Sequence, residues 1–280
     1  MSRSAIVGTG VAVLIAAGLY YFQDPLRRSR FPEVPSPISS PVAQSPAPPP
    51  PIRYAVTLKD QANPSPLPGT APKTLPQLDD SDESILTALT TTLGKGRFAA
   101  LLNPKGLVRR FVITVDRLTE PHSLSADYSI VTPVEGAFEV SRDGGNHFIN
   151  QKNYARYDPY VSLLDETHIQ PLVAIYAHFY PLFQTAFHDV KPTAYFNDRL
   201  IEVIDHLLET PYVEVPIQLL QTSVYYRYKN VRLEGLSVGQ KSMIRTGPAN
   251  TKIILSRLKA LRQALTQLGH YVTKLTIRAL

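Results

Sequence analysis

Prolines are concentrated in one part of this chain and therefore limit where it can fold. Of its 25 prolines, 15 lie between Pro25 and Pro76. Because proline lacks an N–H and fixes φ, neither a helix nor a sheet can continue through such a stretch. We interpret residues 23–77 as a disordered, proline-rich tether that contributes almost nothing to a folded core. A ligand for a proline-recognising module is the alternative interpretation.

An uncharged, apolar stretch precedes the tether. Residues 5–22 carry no charged side chain, and the aromatic residues Tyr20, Tyr21 and Phe22 lie at the end of this stretch. A helix of this length spans about 27 Å, close to the thickness of the hydrocarbon core of a bilayer. We predict a single transmembrane anchor at 5–22, after a short tail of residues 1–4. A cleaved signal peptide and a buried core helix are the alternatives.

Net charge and cysteine content exclude several classes of function. The chain has a net charge of +6 and no cysteine. Before Asp79 there are seven basic and three acidic residues, and from Asp79 onward there are 22 and 20, so the second part is close to neutral. This balance argues against nucleic acid as a partner. Without cysteine the chain has no disulfide, no cysteine nucleophile and no thiolate metal site.

Residues 78–268 are predicted to form one helix-rich globular domain, followed by a C-terminal tail of residues 269–280. Caps and apolar periodicity predict helices from Asp80 to Gly94 and over 106–118, 153–164, 167–188, 195–209, 237–245 and 248–268. Asp143-Gly144-Gly145 predicts a β-hairpin, and residues 215–220 and 224–228 predict a second strand pair. The fold class is therefore mainly α, a multi-helix domain with one or two small β-hairpins.

The tests for catalytic and metal-binding patterns fail. Gly235-Leu236-Ser237-Val238-Gly239 matches the nucleophile elbow of serine hydrolases, but that fold needs an acidic residue after the serine and none follows Glu234. The seven histidines do not form a zinc-protease pattern. We therefore predict no catalytic residue, no metal site and no cofactor.

Four motifs in the domain have a distinctive combination of residues. They are Asn153-Tyr154-Ala155-Arg156-Tyr157-Asp158, Phe179-Tyr180-Pro181-Leu182-Phe183, Phe196-Asn197-Asp198-Arg199-Leu200 with Ile204-Asp205-His206-Leu207-Leu208, and Leu233-Glu234 with Gly239-Gln240-Lys241 and Arg245-Thr246-Gly247-Pro248. Together they resemble a bacterial family of domains of unknown function, number 3014, over most of residues 79–268. The chain departs from the family pattern at Val190-Lys191-Pro192, where a Gly-Tyr-Pro turn is expected, and at Thr246, where a Met is expected.

The resemblance implies an architecture and an environment. Members of the family look like Gram-negative proteins with an N-terminal anchor and a proline-rich tether, which implies a domain in the periplasm at the inner membrane. The resemblance implies no catalytic residue. We therefore favour a non-enzymatic interaction or scaffold protein of the cell envelope. Its partners would be the membrane, through residues 5–22, and an envelope protein or an anionic glycan.

A polymer-binding or hydrolytic enzyme of the envelope is the alternative function. Its pocket would be formed by Arg, Asp and His side chains: Arg156, Asp158, Asp198, Arg199, Asp205 and His206. The acidic residues of helix 195–209 share one face, which is typical of a cation site or, more simply, of a solvated face paired with arginines. We expect Arg156 and Arg199 to be structural and to pair with a carboxylate such as Asp158 or Asp205.

A second candidate surface is basic. Eight basic residues and no acidic residue follow Glu234. Lys252, Lys259 and Arg262 fall outside the apolar stripe of the last helix, so they are candidates for contact with an anionic partner. The alternative is that this charge balances the acidic face of the helix at 195–209.

Overall fold

The computed structural model describes residues 50–56, 75–93, 101–121, 128–132, 134–162, 169–222 and 226–268. The predicted anchor at 5–22, most of the predicted tether and the tail at 269–280 lie outside the described residues. Within the described ranges, no helix combines the length and the apolarity that crossing a membrane requires.

The described residues contain nine α-helices and four strands, which confirms a mainly helical fold with a small β component. The helices are α1 Asp82–Leu93, α2 Leu107–Arg117, α3 Lys152–Ala155, α4 Asp158–Val161, α5 Ile169–His188, α6 Phe196–Leu208, α7 Val231–Glu234, α8 Val238–Arg245 and α9 Pro248–Thr266. The strands are β1 Val140–Asp143, β2 Asn146–Ile149, β3 Gln218–Gln221 and β4 Tyr226–Tyr228.

Long helices build the main core. In α2 the apolar residues Val108, Val112 and Val115 are spaced by four and three positions, so they share one face with the adjacent Leu107, and all four are buried. This face packs on α5 and α6, and α9 packs on the same two helices. The centre of the core is aromatic, with Phe183 and Phe196 stacked at a centroid distance of 5.9 Å. The long helices therefore form one continuous apolar interior.

The two predicted strand pairs form one sheet. β1 and β2 are joined at Gly144 and Gly145, which confirms the predicted hairpin. All neighbours are antiparallel, in the order β1-β2-β3-β4, so the contact between β2 and β3 unites the two pairs. One face of the sheet covers a second, smaller core that includes Ile149, Ile217 and Ile244. Through Ile244, this second core is attached to α8.

Two details differ from the expectation. The single helix predicted over 153–164 is divided into α3 and α4, since Pro159 has no N–H with which to continue the first helix. Asp82 lies at the start of α1, as predicted, but its carboxylate accepts from the N–H groups of Gly106 (2.7 Å) and Leu107 (2.8 Å). Asp82 therefore satisfies the first N–H groups of α2, a role that only the packed structure can assign.

Residues 50–56 lie against the helical domain, although the proline content assigns them to the tether. The side chains of Tyr54 and Val56 pack on the main core. The expectation that the tether contributes almost nothing to the core is therefore wrong for this segment, because two of its apolar side chains find a partner surface. We refer to residues 50–56 as the docked segment.

Candidate functional site

The six residues of the proposed Arg/Asp/His pocket contact different parts of the fold. The cavities of the described residues include an apolar one of about 90 Å³ in the main core and a groove of about 440 Å³ beside α9. Neither cavity is lined by any of the six residues. Five of the six side chains form hydrogen bonds with partners elsewhere in the fold, whereas Nε2 of His206 has no such partner among the described residues.

Arg199 belongs to a buried cluster of charges between α2 and α6. Its Nε donates to the carboxylate of Asp116 at 2.8 Å, and the ammonium of Lys191 approaches the same carboxylate at 2.6 Å. Arg199 also donates to the backbone carbonyl of Asp116 and to the hydroxyl of Thr119. Arg199 is therefore a structural residue as expected, but its partner is Asp116 rather than Asp158 or Asp205.

Arg156 binds a loop, and Asp158 binds helix α9. The guanidinium of Arg156 donates to the carbonyls of Glu135 (2.9 Å) and Gly136 (2.6 Å). The carboxylate of Asp158 accepts from the side-chain amide of Asn250 at 2.9 Å. The two side chains thus bind different parts of the fold. An ion pair of Asp158 with an arginine was expected, but the hydrogen bond of Asp158 is with the neutral amide of Asn250.

Asp205 and His206 have different surroundings although they are adjacent in α6. The carboxylate of Asp205 forms two hydrogen bonds with the guanidinium of Arg262 in α9, and these raise the pKa of Arg262. The charge of Arg262 is therefore balanced within the domain. In the described part of the chain, no group forms a hydrogen bond with the buried Nε2 of His206.

The G-x-S-x-G sequence starts helix α8 and has a structural role. The hydroxyl of Ser237 accepts from the N–H of Gln240 and caps the helix. The N–H of Gly239 donates to the carbonyl of Leu118 at 2.9 Å. A Cβ at Gly239 would lie 2.5 Å from Cδ2 of Leu207, so only glycine allows α8 to approach so closely.

The rest of α8 is buried as well, including two basic side chains. All eight residues of this helix are buried. The ammonium of Lys241 donates to the carbonyls of Glu234 (3.1 Å) and Pro121 (3.3 Å), and burial lowers the pKa of Lys241. The guanidinium of Arg245 lies 5.6 Å from the centre of the Tyr228 ring, within range of a cation–π contact. These motif residues hold the helix and the sheet together.

Two of the three basic residues predicted as a contact surface, Lys252 and Lys259, line the groove beside α9. Its floor is apolar and includes Ile217, Ile244 and Leu255. Lys252 and Lys259 line the groove from α9, and both are exposed. Neither lysine forms an ion pair with a described residue. We refer to this cavity, with Lys252 and Lys259 on its rim, as the basic groove.

A second surface, at the start of α6, binds the docked segment. The carboxylate of Asp198 accepts from the N–H groups of Arg53 (2.9 Å) and Tyr54 (2.7 Å). The side-chain amide of Asn197 donates to the carbonyl of Tyr54 at 2.9 Å, and its oxygen accepts from the hydroxyl of Tyr176 at 3.1 Å. Of the docked segment, Asn197 and Asp198 thus bind the backbone atoms of Arg53 and Tyr54. We refer to these two residues as the backbone clip.

The sequence predicted Asp198 as a site residue, but it predicted neither the contact with the docked segment nor the role of the adjacent Asn197. Asn197 stands beside Asp198 in a motif, yet an Asn in the first turn of a helix is common and indicates no partner. Tyr54 is an isolated aromatic residue among prolines, and this is the single signal that marks the docked segment. A contact that joins residues 143 to 145 positions apart leaves no periodic pattern in the sequence.

Comparison with known proteins gives a family and no further relative. The model of the family described as "Protein of unknown function (DUF3014)" matches residues 107–262, which is more than half of the chain. The chain belongs to this family, as its motifs suggested. Among the curated proteins and the solved structures, no match to the chain is found.

Proposed function

We propose that this member of the DUF3014 family is a membrane-anchored protein of the cell envelope whose helical domain is a non-enzymatic interaction module. In this proposal residues 5–22 hold the chain in the inner membrane and the domain lies in the periplasm. The basic groove is the surface that receives the partner. The partner is an acidic segment of another envelope protein.

The observation that carries the proposal is the pair of lysines on an apolar groove. Arg262 is balanced by Asp205, whereas Lys252 and Lys259 are exposed beside apolar side chains and lack an ion pair among the described residues. A charged rim around an apolar floor is the usual anatomy of a protein-binding surface. Seven residues along a helix separate the two lysines by about 10.5 Å.

That separation favours an acidic protein segment over a single phosphate. In an extended peptide, every second side chain lies on the same face and is about 7 Å from the next, so two carboxylates on one face can each reach one of the two long lysine side chains. An apolar side chain between the two carboxylates would reach the floor of the groove. A compact phosphate would have to draw both lysine side chains together, at a cost in side-chain entropy.

The docked segment changes the expected length of the tether. With the clip closed, the free spacer runs from residue 23 to residue 49, and its reach is about 84 Å in the polyproline conformation rather than roughly 170 Å for residues 23–77. The domain of this proposal would therefore stand nearer to the membrane than the proline content alone implies.

Two measurements in cells test the proposal. A reporter that is active only in the periplasm, fused after Leu280, is expected to be active; activity of a cytoplasmic reporter alone would contradict the envelope location. A photo-reactive residue at position 256, inside the basic groove, is expected to give a covalent adduct with a partner protein. The adduct is expected to disappear in Lys252→Gln/Lys259→Gln.

A matched control separates the groove from net charge. Lys105 and Lys229 are exposed and lie outside the groove, so Lys105→Gln/Lys229→Gln removes the same charge and is expected to keep the adduct. The adduct is also expected to weaken as salt rises from 0.1 M to 1 M, because the Debye length falls from about 10 Å to about 3 Å. An adduct that is equally weakened in both double variants would contradict a specific role for the groove.

A further inference from the structure

The backbone clip has the features of a peptide-binding site. Asp198 binds two consecutive N–H groups, those of Arg53 and Tyr54, where the docked segment bends. Consecutive N–H groups that point the same way form a concave site for an anion, and here the carboxylate of Asp198 is that anion. Asn197 binds the carbonyl of Tyr54, so the clip satisfies three backbone groups of the segment.

The clip is complete without the docked segment. Asn197 is fully buried and is oriented by the hydroxyl of Tyr176 in α5. Asp198 belongs to the first turn of α6, where the helix dipole favours a negative charge. The side chains that recognise the peptide are therefore held by the helical domain itself.

The docked segment leaves most of its side chains exposed. Arg53 and Ala55 are exposed, and Ile52 is 51 % exposed, whereas Tyr54 and Val56 are half-buried. The side-chain oxygen of Tyr54 accepts from the guanidinium of Arg262 and contributes to the raised pKa of Arg262, after the larger contribution of Asp205. Recognition thus involves the backbone, one tyrosine and one small apolar side chain. A peptide with these features has no need of a particular sequence elsewhere.

We propose that the backbone clip is an exchangeable peptide-binding site and that residues 50–56 are its resident ligand. The ligand class is a short peptide that bends to present two consecutive N–H groups and carries a tyrosine at the second of them. Because the segment belongs to the same chain as the clip, it has a high effective concentration there. A free peptide of the same kind competes with it. This inference does not depend on the basic groove or on the location of the domain.

The first test empties the clip in the full-length chain. Arg53→Pro/Tyr54→Pro removes both N–H donors and the tyrosine side chain, in a segment that already contains Pro50 and Pro51. A fluorescent peptide with the sequence of residues 48–58 is then titrated in an anisotropy experiment. We expect saturable binding to this variant and weaker binding to the wild type, whose clip is occupied.

A second variant shows whether binding occurs at the clip. In the chain that carries Arg53→Pro/Tyr54→Pro, Asp198→Asn replaces the carboxylate by an amide. The amide has one acceptor oxygen and an NH2 group, which cannot accept from a peptide N–H. The affinity for the peptide is expected to fall at least about tenfold, since hydrogen bonds to a charged group are the stronger kind. Glu202→Gln is the matched control on the same helix and is expected to leave the affinity within about twofold, because Glu202 is 4.0 Å from Arg53 and exposed.

Several outcomes would overturn the inference. If the emptied chain does not fold, as judged by circular dichroism, the segment is a fixed part of the fold and not an exchangeable ligand. If it folds but binds no peptide up to about 1 mM, or if Asp198→Asn binds the peptide equally well, the clip is not a peptide site.

A label on the docked segment gives an independent measurement. The chain has no cysteine, so Ala55→Cys introduces a unique site for a spin label at an exposed position. The label is expected to be immobilised in the wild-type background and mobile with Asp198→Asn. Equal mobility in the two backgrounds would contradict the proposed contact.

Discussion

Helices α8 and α9 follow each other in the chain and carry the same kinds of basic residue, but they place them in opposite environments. In α8 the charges of Lys241 and Arg245 are buried beside carbonyls and an aromatic ring. In α9 Lys252 and Lys259 are exposed on the rim of a groove. The comparison teaches that the residue type alone does not separate structural from functional charges.

The same contrast exists between two arginines that pair with carboxylates. The side chain of Arg199 is 13 % exposed and its partner Asp116 is 11 % exposed. The side chain of Arg262 is 36 % exposed and its partner Asp205 is 43 % exposed. Burial determines how much free energy is lost when one partner of such a pair is removed, because an unpaired charge that water reaches costs little.

The largest effect is expected for Arg199. We expect Arg199→Ala to lower the free energy of unfolding by about 3 kcal/mol, the low end for a broken buried pair, because Lys191 remains as a cation beside the carboxylate of Asp116. Arg262→Ala is the matched variant and is expected to cost at most about 1 kcal/mol. Denaturant unfolding of the two variants measures this difference. Similar losses would show that burial does not distinguish these pairs.

A smaller effect is expected where α8 approaches α2. Gly239→Ala places a methyl group 2.9 Å from the carbonyl oxygen of Leu118, a backbone atom that cannot rotate away. The expected cost is about 1–3 kcal/mol, typical of an overpacked core. Gly235→Ala, in the same G-x-S-x-G sequence, meets no atom closer than 3.4 Å and is expected to be nearly neutral. Equal thermal midpoints for both variants would contradict the close packing of α8.

Lysine to methionine substitutions compare the two helices directly. Lys241→Met keeps the length of the side chain but leaves the carbonyls of Glu234 and Pro121 without their donor, and it is expected to cost about 1–3 kcal/mol. Lys252→Met on the surface of α9 is expected to change stability by at most about 0.5 kcal/mol. Thermal unfolding checks both values. A stable Lys241→Met protein would mean that water replaces the lost donor.

The smallest expected effect is the contribution of Lys241 to the pH dependence of the free energy of unfolding. Burial lowers the pKa of Lys241 in the folded state below its ordinary value of 10.5. Between the lowered pKa and 10.5 the unfolded chain binds more protons at this residue, so its contribution to stability rises as pH rises through that window. Wild-type stability is therefore expected to increase relative to Lys241→Met as pH rises toward 10.5, the ordinary pKa of the lysine side chain. A constant difference would contradict the lowered pKa.

Local sequence patterns predicted most helices and the first hairpin. The apolar spacing in α2, α6 and α9 and the Asp143-Gly144-Gly145 turn depend on residues that are close together in the chain, and their bounds in the structure lie within a few residues of the predicted ones. The division of the helix at Pro159 was missed, although proline is itself a local signal.

The candidate sites were predicted much less completely. Asp198 and the three basic residues of α9 were selected as charged groups, but their partners were not. Asp116 for Arg199, Asp205 for Arg262 and the backbone of residues 53 and 54 for Asp198 are all distant in the chain. The sequence predicts that a charge is present and leaves open whether it is paired.

Composition and short-range patterns were therefore enough to predict the family and the helical character of the domain. They also exclude cysteine chemistry, because the chain has no cysteine. The packing of distant segments was needed to show that Asp205 balances the charge of Arg262, whereas Lys252 and Lys259 lie exposed on a groove. It was also needed to show that residues 50–56 belong to the domain. The physical reason is the range of the interactions. Periodicity and turn chemistry act within a few residues of the chain, whereas burial and ion pairing depend on which distant segments meet when the helices pack.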